Sequence, residues 1–150
     1  MPVGRSSSEE ARRAQIKASI KPGCILHIFC DFIENPKPKF IVIMHTDPEN
    51  DEFLVFTINS EIPPFIEDDP HLRAGQIMLR ATTYTFLTHD SYIDCIKVHY
   101  GFNSETPHDH RGKLHKTEIR KIIAFVQTAQ TIPPDDKSVI IKSLGGHNGD

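Results

Sequence analysis

The chain has no tryptophan, only eight glycines, and three cysteines that form no C-x-x-C pair. It contains no run of about 18 apolar residues, the length a membrane-spanning helix needs, so no segment reads as one. The polar start, Met1 to Ser8, lacks the apolar stretch of a secretory leader, and the expected location is therefore cytoplasmic. An odd set of scattered cysteines, Cys24, Cys30 and Cys95, fits free buried thiols in a reducing compartment, and a disulfide framework is not expected. Excess positive charge is missing too. A formal charge of −3 argues against a dedicated non-specific nucleic-acid binder but leaves room for a local basic groove. Eleven prolines against eight glycines point to short strands joined by ordered loops. At 150 residues the chain fits one domain around a single core.

What is present divides into strands first and helices last. Residues 1–20 read as a peripheral N-terminal arm with a helical patch, in which Ser8 can cap Glu9 and Glu10. Pro22-Gly23 signals a turn. Cys24 to Phe32 follows as a strand with Cys24, Leu26, Ile28 and Cys30 on one face. Phe40 to His45 is apolar on both faces, which marks a central strand, and Phe53 to Asn59 pairs with it as a hairpin around 47–51. Gln76–Arg80 and Tyr84–Leu87 are short strand candidates, and Tyr92–His99 is a further strand. Residues 100–112 read as a polar loop. From Thr117 to Gln130, Ile119, Ile122, Ile123 and Val126 recur at helical spacing, so this helix packs on the sheet. Pro133-Pro134 opens a second helix that Gly145-Gly146 is expected to end near Leu144. The expected domain therefore spans 21–144 with a flexible tail at 145–150, in the α+β class and mainly β.

Several residue types in this frame can carry chemistry. His27, His45 and His89 are candidate proton carriers because imidazole titrates near neutral pH. His89 stands in the polar run His89-Asp90-Ser91, where a carboxylate can orient it. Lys37 and Lys39, on either side of Pro38, can hold a phosphate by charge. Asn59 and Ser60, with Thr57 on the same strand face as Asn59, can contact a phosphate or a base, and Tyr92 can stack on one. His108-Asp109-His110-Arg111, with His115 nearby, suggests a metal, but the spacing is a poor template and reads as a solvated loop. Asp68-Asp69 lies in a proline-rich connection and reads as loop solvation.

The order of these pieces resembles the MazF/PemK family of toxin endoribonucleases. Pro22-Gly23 opens the first strand, Lys37-Pro38-Lys39 precedes Phe40-Ile41-Val42-Ile43, and Asn59-Ser60 occupies the place of a Thr-Ser pair. Ser91-Tyr92-Ile93-Asp94-Cys95 and Gly112-Lys113-Leu114 match the later strand and the closing segment. The similarity covers about residues 22–130 and rests on order and spacing. It implies a small, strongly bent, SH3-like β-barrel of the CcdB/MazF type, with five to seven strands and a C-terminal helix. It also implies metal-independent cleavage of single-stranded RNA, without a cofactor, by attack of the 2′-hydroxyl on the adjacent phosphate. A cation must then stabilise the phosphorane and an acid–base group must move the proton. Lys39 and His89 are the expected catalytic pair, with Lys37, Thr57, Asn59, Ser60 and Tyr92 binding substrate. A homodimer and an antitoxin partner are further implications. Where many members carry an arginine and an aspartate, this chain has Asp94 and Ile96. The alternative is a barrel of the same ancestry that has lost catalysis and binds protein or nucleic acid, in a phage or mobile-element setting.

Overall fold

The computed structural model describes residues 3–148, and the side chains of residues 8–145. Among the described residues six antiparallel strands form one sheet: β1 Cys24–Cys30, β2 Lys37–Asp47, β3 Glu52–Asn59, β4 Gln76–Leu79, β5 Ser91–Phe102 and β6 His108–Lys113. Their spatial order is β4-β5-β3-β2-β1-β6, so the β2–β3 hairpin is central, as its two-sided apolar pattern requires. Register slips interrupt the ladders at Ile43/His45, at Phe53/Val55/Thr57 and at Ile25/Leu26. Each slip adds local bend and twist. The sheet curls into a half-barrel, giving the small bent α+β fold, mainly β with C-terminal helices, that the sequence implied.

Among the described residues there are also five helices: α1 Val3–Ser19, α2 Pro64–Glu67, α3 Pro70–Ala74, α4 Lys116–Thr128 and α5 Pro134–Asn148. The central strands are apolar on both faces, and each face has its own cover. On one side Ile25, Val42, Met44, Leu54, Phe56, Ile58 and Ile93 pack against Ile119, Ile122, Phe125 and Val126 of α4 and Ile140 and Leu144 of α5. On the other side Leu26, Ile28, Ile41, Ile43, Phe53, Val55 and Phe102 form a second core. Phe32 and Ile33, from the β1–β2 loop, close its rim. Each such side chain contributes about 1.5–3 kcal/mol by leaving water.

Four elements differ from the sequence reading. The N-terminal arm is peripheral along most of its length, but Ile20 is buried and Ile16 packs beside it, so its end belongs to the second core. The expected polar loop at 100–112 contains β6, a strand of His, Asp, Arg, Gly and Lys that pairs with β1 from Cys24↔Lys113 to Ile28↔His108. Tyr84–Leu87 forms turns and no strand; Tyr84 and Leu87 are buried all the same, because the Tyr84 hydroxyl bridges to Glu118 of α4 and accepts a hydrogen bond from the His115 N–H at 3.0 Å. Finally, α5 does not stop near Leu144 but runs through Gly145-Gly146 to Asn148. Residues 149 and 150 of the expected tail lie outside the described residues.

Candidate functional site

At one end of the sheet's interior strands, β1, β2 and β3 meet the turn before β5. Strand alternation sets Lys37 and Lys39 on the same side of β2, on either side of Pro38. Pro38 cannot donate to a ladder, which suits the entry of a strand. Register places Lys39 beside Ile28 on β1, and on its other flank the ammonium donates a hydrogen bond to the Asn59 side-chain oxygen. Lys39 is half-buried, while Lys37 is exposed. Burial first, and the neighbouring Lys37 charge second, lower the Lys39 pKa; Cys30 and Asp94 act in the opposite sense.

Lys37, Pro38, Lys39 and Asn59 line a cleft of about 260 Å³ together with His27, Ser60, Thr88 and His89. Lys37, Lys39, Asn59, Ser60 and His89 are therefore together, although they come from three separate parts of the sequence. His89 is exposed, and its Nδ1 lies 3.0 Å from the Thr88 hydroxyl. The Asp90 carboxylate, expected to orient this ring, instead accepts from the Ala81 N–H at 2.8 Å. His27 is half-buried against Phe40, with ring centroids 4.9 Å apart. His45 is elsewhere, its Nδ1 2.6 Å from the Ser143 hydroxyl of α5. A larger hollow, about 640 Å³, lies between α1 and the β2–β3 turn. Its charged residues, Glu10, Arg13, Lys17 and Glu49, are mixed in sign and present no convergent set, so the candidate site is the lysine cleft.

Two of the expected substrate-binding residues stand back from the cleft. Thr57 is buried one row deeper, between Ile41 and Asp94. Tyr92 pairs with Asn59 across the β3–β5 ladder and lies under the Arg73 guanidinium, 5.9 Å from the ring centre. Arg73 has no periodic signal in the sequence. Its position comes from α3, which is capped by Asp69: that carboxylate accepts from the His71 and Leu72 N–H groups at 3.0 and 3.2 Å. The aspartate expected to serve as loop solvation is thus a helix cap.

Behind this end of the sheet lies a row of polar groups that sequence reading passed over. The Gln76 amide donates to Asp94 at 3.0 Å, and its own oxygen is buried without a hydrogen-bond partner among the described residues. His99 packs on Phe32 at 5.4 Å between centroids; burial, then Lys97, lower its pKa. Burial pushes the Cys30 thiol up to about 11, so it is an unreactive neighbour of Lys39. Cys24 and Cys95 are likewise free and buried. In β6, His108 and His110 fall on one face and Asp109 on the other, which separates that triplet as ligands. The 107–109 segment borders an adjoining cleft that shares His27 and Pro38 with it.

Such a cleft can hold an anion by charge and present imidazole nitrogens to it. Compared with known proteins, the chain matches no protein-family model and no curated protein.

Proposed function

We propose that the protein is a toxin-like endoribonuclease that binds single-stranded RNA at Lys37 and Lys39 and cleaves it by 2′-hydroxyl attack. The observation that carries this reading is the convergence of Lys37, Lys39, Asn59, Ser60 and His89 on one cleft. In the proposed reaction Lys39 stabilises the charge that develops on the phosphorane. His89 takes the proton from the attacking 2′-hydroxyl as the O2′–P bond forms, and His27, a second imidazole in the same cleft, gives one to the 5′-oxygen as the P–O5′ bond breaks. Asn59 and Ser60 orient the phosphate or a neighbouring base. A homodimer, an antitoxin protein and a cytoplasmic setting belong to the same proposal, by resemblance to the MazF/PemK family. Among the described residues no helix is long and apolar enough to cross a membrane.

The test is digestion of a set of single-stranded RNAs in the presence of a chelator. Cleavage leaving a 2′,3′-cyclic phosphate is expected, and RNA methylated at the 2′-oxygen should stay intact. Lys39→Ala and His89→Ala should each slow the reaction, by about 10²–10⁴-fold for the acid–base group. Full activity in both variants would remove these residues from the mechanism. A second reading, a binding barrel without catalysis, is favoured by one observation: among the described residues no arginine lines the cleft. Lysine lacks the planar fork that grips a phosphate bidentately. Tight binding of RNA with no cleavage of any sequence would decide for it.

A further inference from the structure

The second core occupies only part of its face of the sheet: it takes Phe102 alone from β5 and nothing from β4. In the remaining corner the register carries one straight row of side chains. Lys39 on β2 donates to Asn59 on β3, Asn59 stands opposite Tyr92 on β5, and Tyr92 stands opposite Met78 on β4. Residues directly opposite in an antiparallel ladder share a face, so this row lies on the side that Lys37 also occupies. Lys39, Asn59 and Tyr92 are partly open to solvent, and Met78 is 38% exposed. With neighbouring strands 4.7–4.9 Å apart, the row from β2 to β4 is about 14 Å long.

Both ends of the row are cationic. At the β2 end Lys37 and Lys39 line a hollow of about 420 Å³, in which they outnumber Glu61. At the β4 end Met78 borders a hollow of about 310 Å³ whose cations are Arg80 and Lys121. Its wall includes Tyr84 and Glu118, from the side covered by α4, so it wraps around the free edge of β4. Among the described residues neither Arg80 nor Lys121 forms an ion pair. The carboxylates close by are engaged. Asp94 accepts from the Gln76 amide and the Ile96 N–H at 3.0 and 3.2 Å, Glu118 accepts from the Tyr84 hydroxyl, and Glu67 lies 3.4 Å from Arg73. Between the cations stand the Tyr92 ring, with the Arg73 guanidinium 5.9 Å from its centre, and the Met78 thioether. Positive charge at both ends with an aromatic surface between them suits a polyanion that carries flat, uncharged groups. Single-stranded nucleic acid is such a molecule, because its bases are free to stack on aromatic rings and guanidinium planes.

We propose that single-stranded RNA held at Lys39 crosses the sheet over Tyr92 and Met78 to Arg80 and Lys121, with one base stacked against Tyr92 beside Arg73. The proposal rests on the RNA reading of the cleft given above and extends it from one phosphate to a run of nucleotides with a defined direction across the strands.

The experiment is fluorescence anisotropy with labelled 2′-O-methyl oligouridylates, a dinucleotide and an octanucleotide, which bind but cannot be cut, alongside a separate cleavage assay. Tyr92→Ala should weaken octanucleotide binding by about 5- to 150-fold, the range for loss of one stacked base, and Tyr92→Phe should bind as the unmodified protein does. Arg80→Ala and Lys121→Ala should each lower the salt slope of octanucleotide affinity by about 0.7. Neither should alter binding of the dinucleotide, which is too short to reach from the lysines to the far edge. Duplex RNA should compete poorly. Unchanged slopes in both cation variants would overturn the proposal, as would equal losses for the two lengths or equal competition by duplex. A Tyr92→Ala protein with native circular dichroism and unmodified affinity would also overturn it. Should that variant fail to fold, the two exposed cations decide alone. Failure of the octanucleotide to bind at low salt would overturn the proposal and leave the row to an acidic protein segment. Octanucleotide binding that depends on Tyr92, Arg80 and Lys121 without cleavage would uphold the track and reject only the nuclease.

Discussion

Lys39 combines two properties that pull against each other, a cationic head and a half-buried position beside another cation. Its pKa lies below the ordinary lysine value of 10.5, so its charge is lost at a lower pH than that of a surface lysine. Binding of a non-cleavable oligonucleotide should therefore weaken as the solution is made alkaline, before exposed lysines titrate. Lys39→Arg should hold its affinity over the same interval because guanidinium stays charged; parallel loss in both proteins would show that another group controls binding. His99 gives a prediction of opposite sense in pH. Its imidazole, depressed below 6.5, stays neutral in the fold while the unfolded chain takes up a proton near that value. The unfolded state then binds more protons, so stability falls as pH drops through about 6.5 toward the lower folded value. His99→Phe keeps a ring against Phe32 and should flatten the decline in melting temperature between about pH 7 and about pH 5. An unchanged slope would assign the acid sensitivity to other histidines.

Among elements, the β2–β3 turn depends on a single side chain, Asp51. Asp51 sits in the left-handed region at φ 50°. Its carboxylate accepts hydrogen bonds from the Ser104 N–H at 2.9 Å and the Ser104 hydroxyl at 2.6 Å, tying this turn to the one after β5. Asp51→Ala loses both bonds and keeps the unfavourable φ, and it should cost about 2–4 kcal/mol by urea denaturation. Asp51→Gly loses the same bonds but relaxes the backbone, so it should cost less; the reverse ranking would mean that strain at this position is negligible. The elements also show what was legible beforehand. β1, β2, β3 and β5 announce themselves by alternation or by apolar runs, and α4 by helical spacing. β6 has no apolar side chain to mark it, since it lies at the sheet edge and is held by its ladder with β1. Tyr84–Leu87 has the composition of a strand but is used to fasten α4. At the site, Lys37, Lys39 and Asn59 follow from alternation on two paired strands. Arg73 depends on a short capped helix, and His99 on the slipped register between β3 and β5, and neither leaves a periodic trace.

At the scale of the molecule, one sheet serves two cores, and its central residues must satisfy both. Phe56 is fully buried on the helix-covered face, directly opposite Val42 in the β2–β3 ladder. Phe56→Ala should cost about 3–5 kcal/mol, a large part of the stability of a domain this size. A loss under about 1 kcal/mol in equilibrium unfolding would mean that the two faces repack freely, against the usual cavity cost. The sheet order has a further consequence, which concerns time. Its outer pairing joins β1 to β6, with Cys24 opposite Lys113, so the ribosome delivers these partners far apart. The central hairpin can close soon after Asn59 emerges, since short loops cost little entropy to close. His89 comes to rest near Lys39 only after β5 has been made and docked on β3, and β1 keeps an open edge until β6 arrives. A growing chain thus carries the lysines long before it has a cleft. Whatever chemistry that cleft performs begins only after β5 has been made and docked, a delay imposed by topology alone.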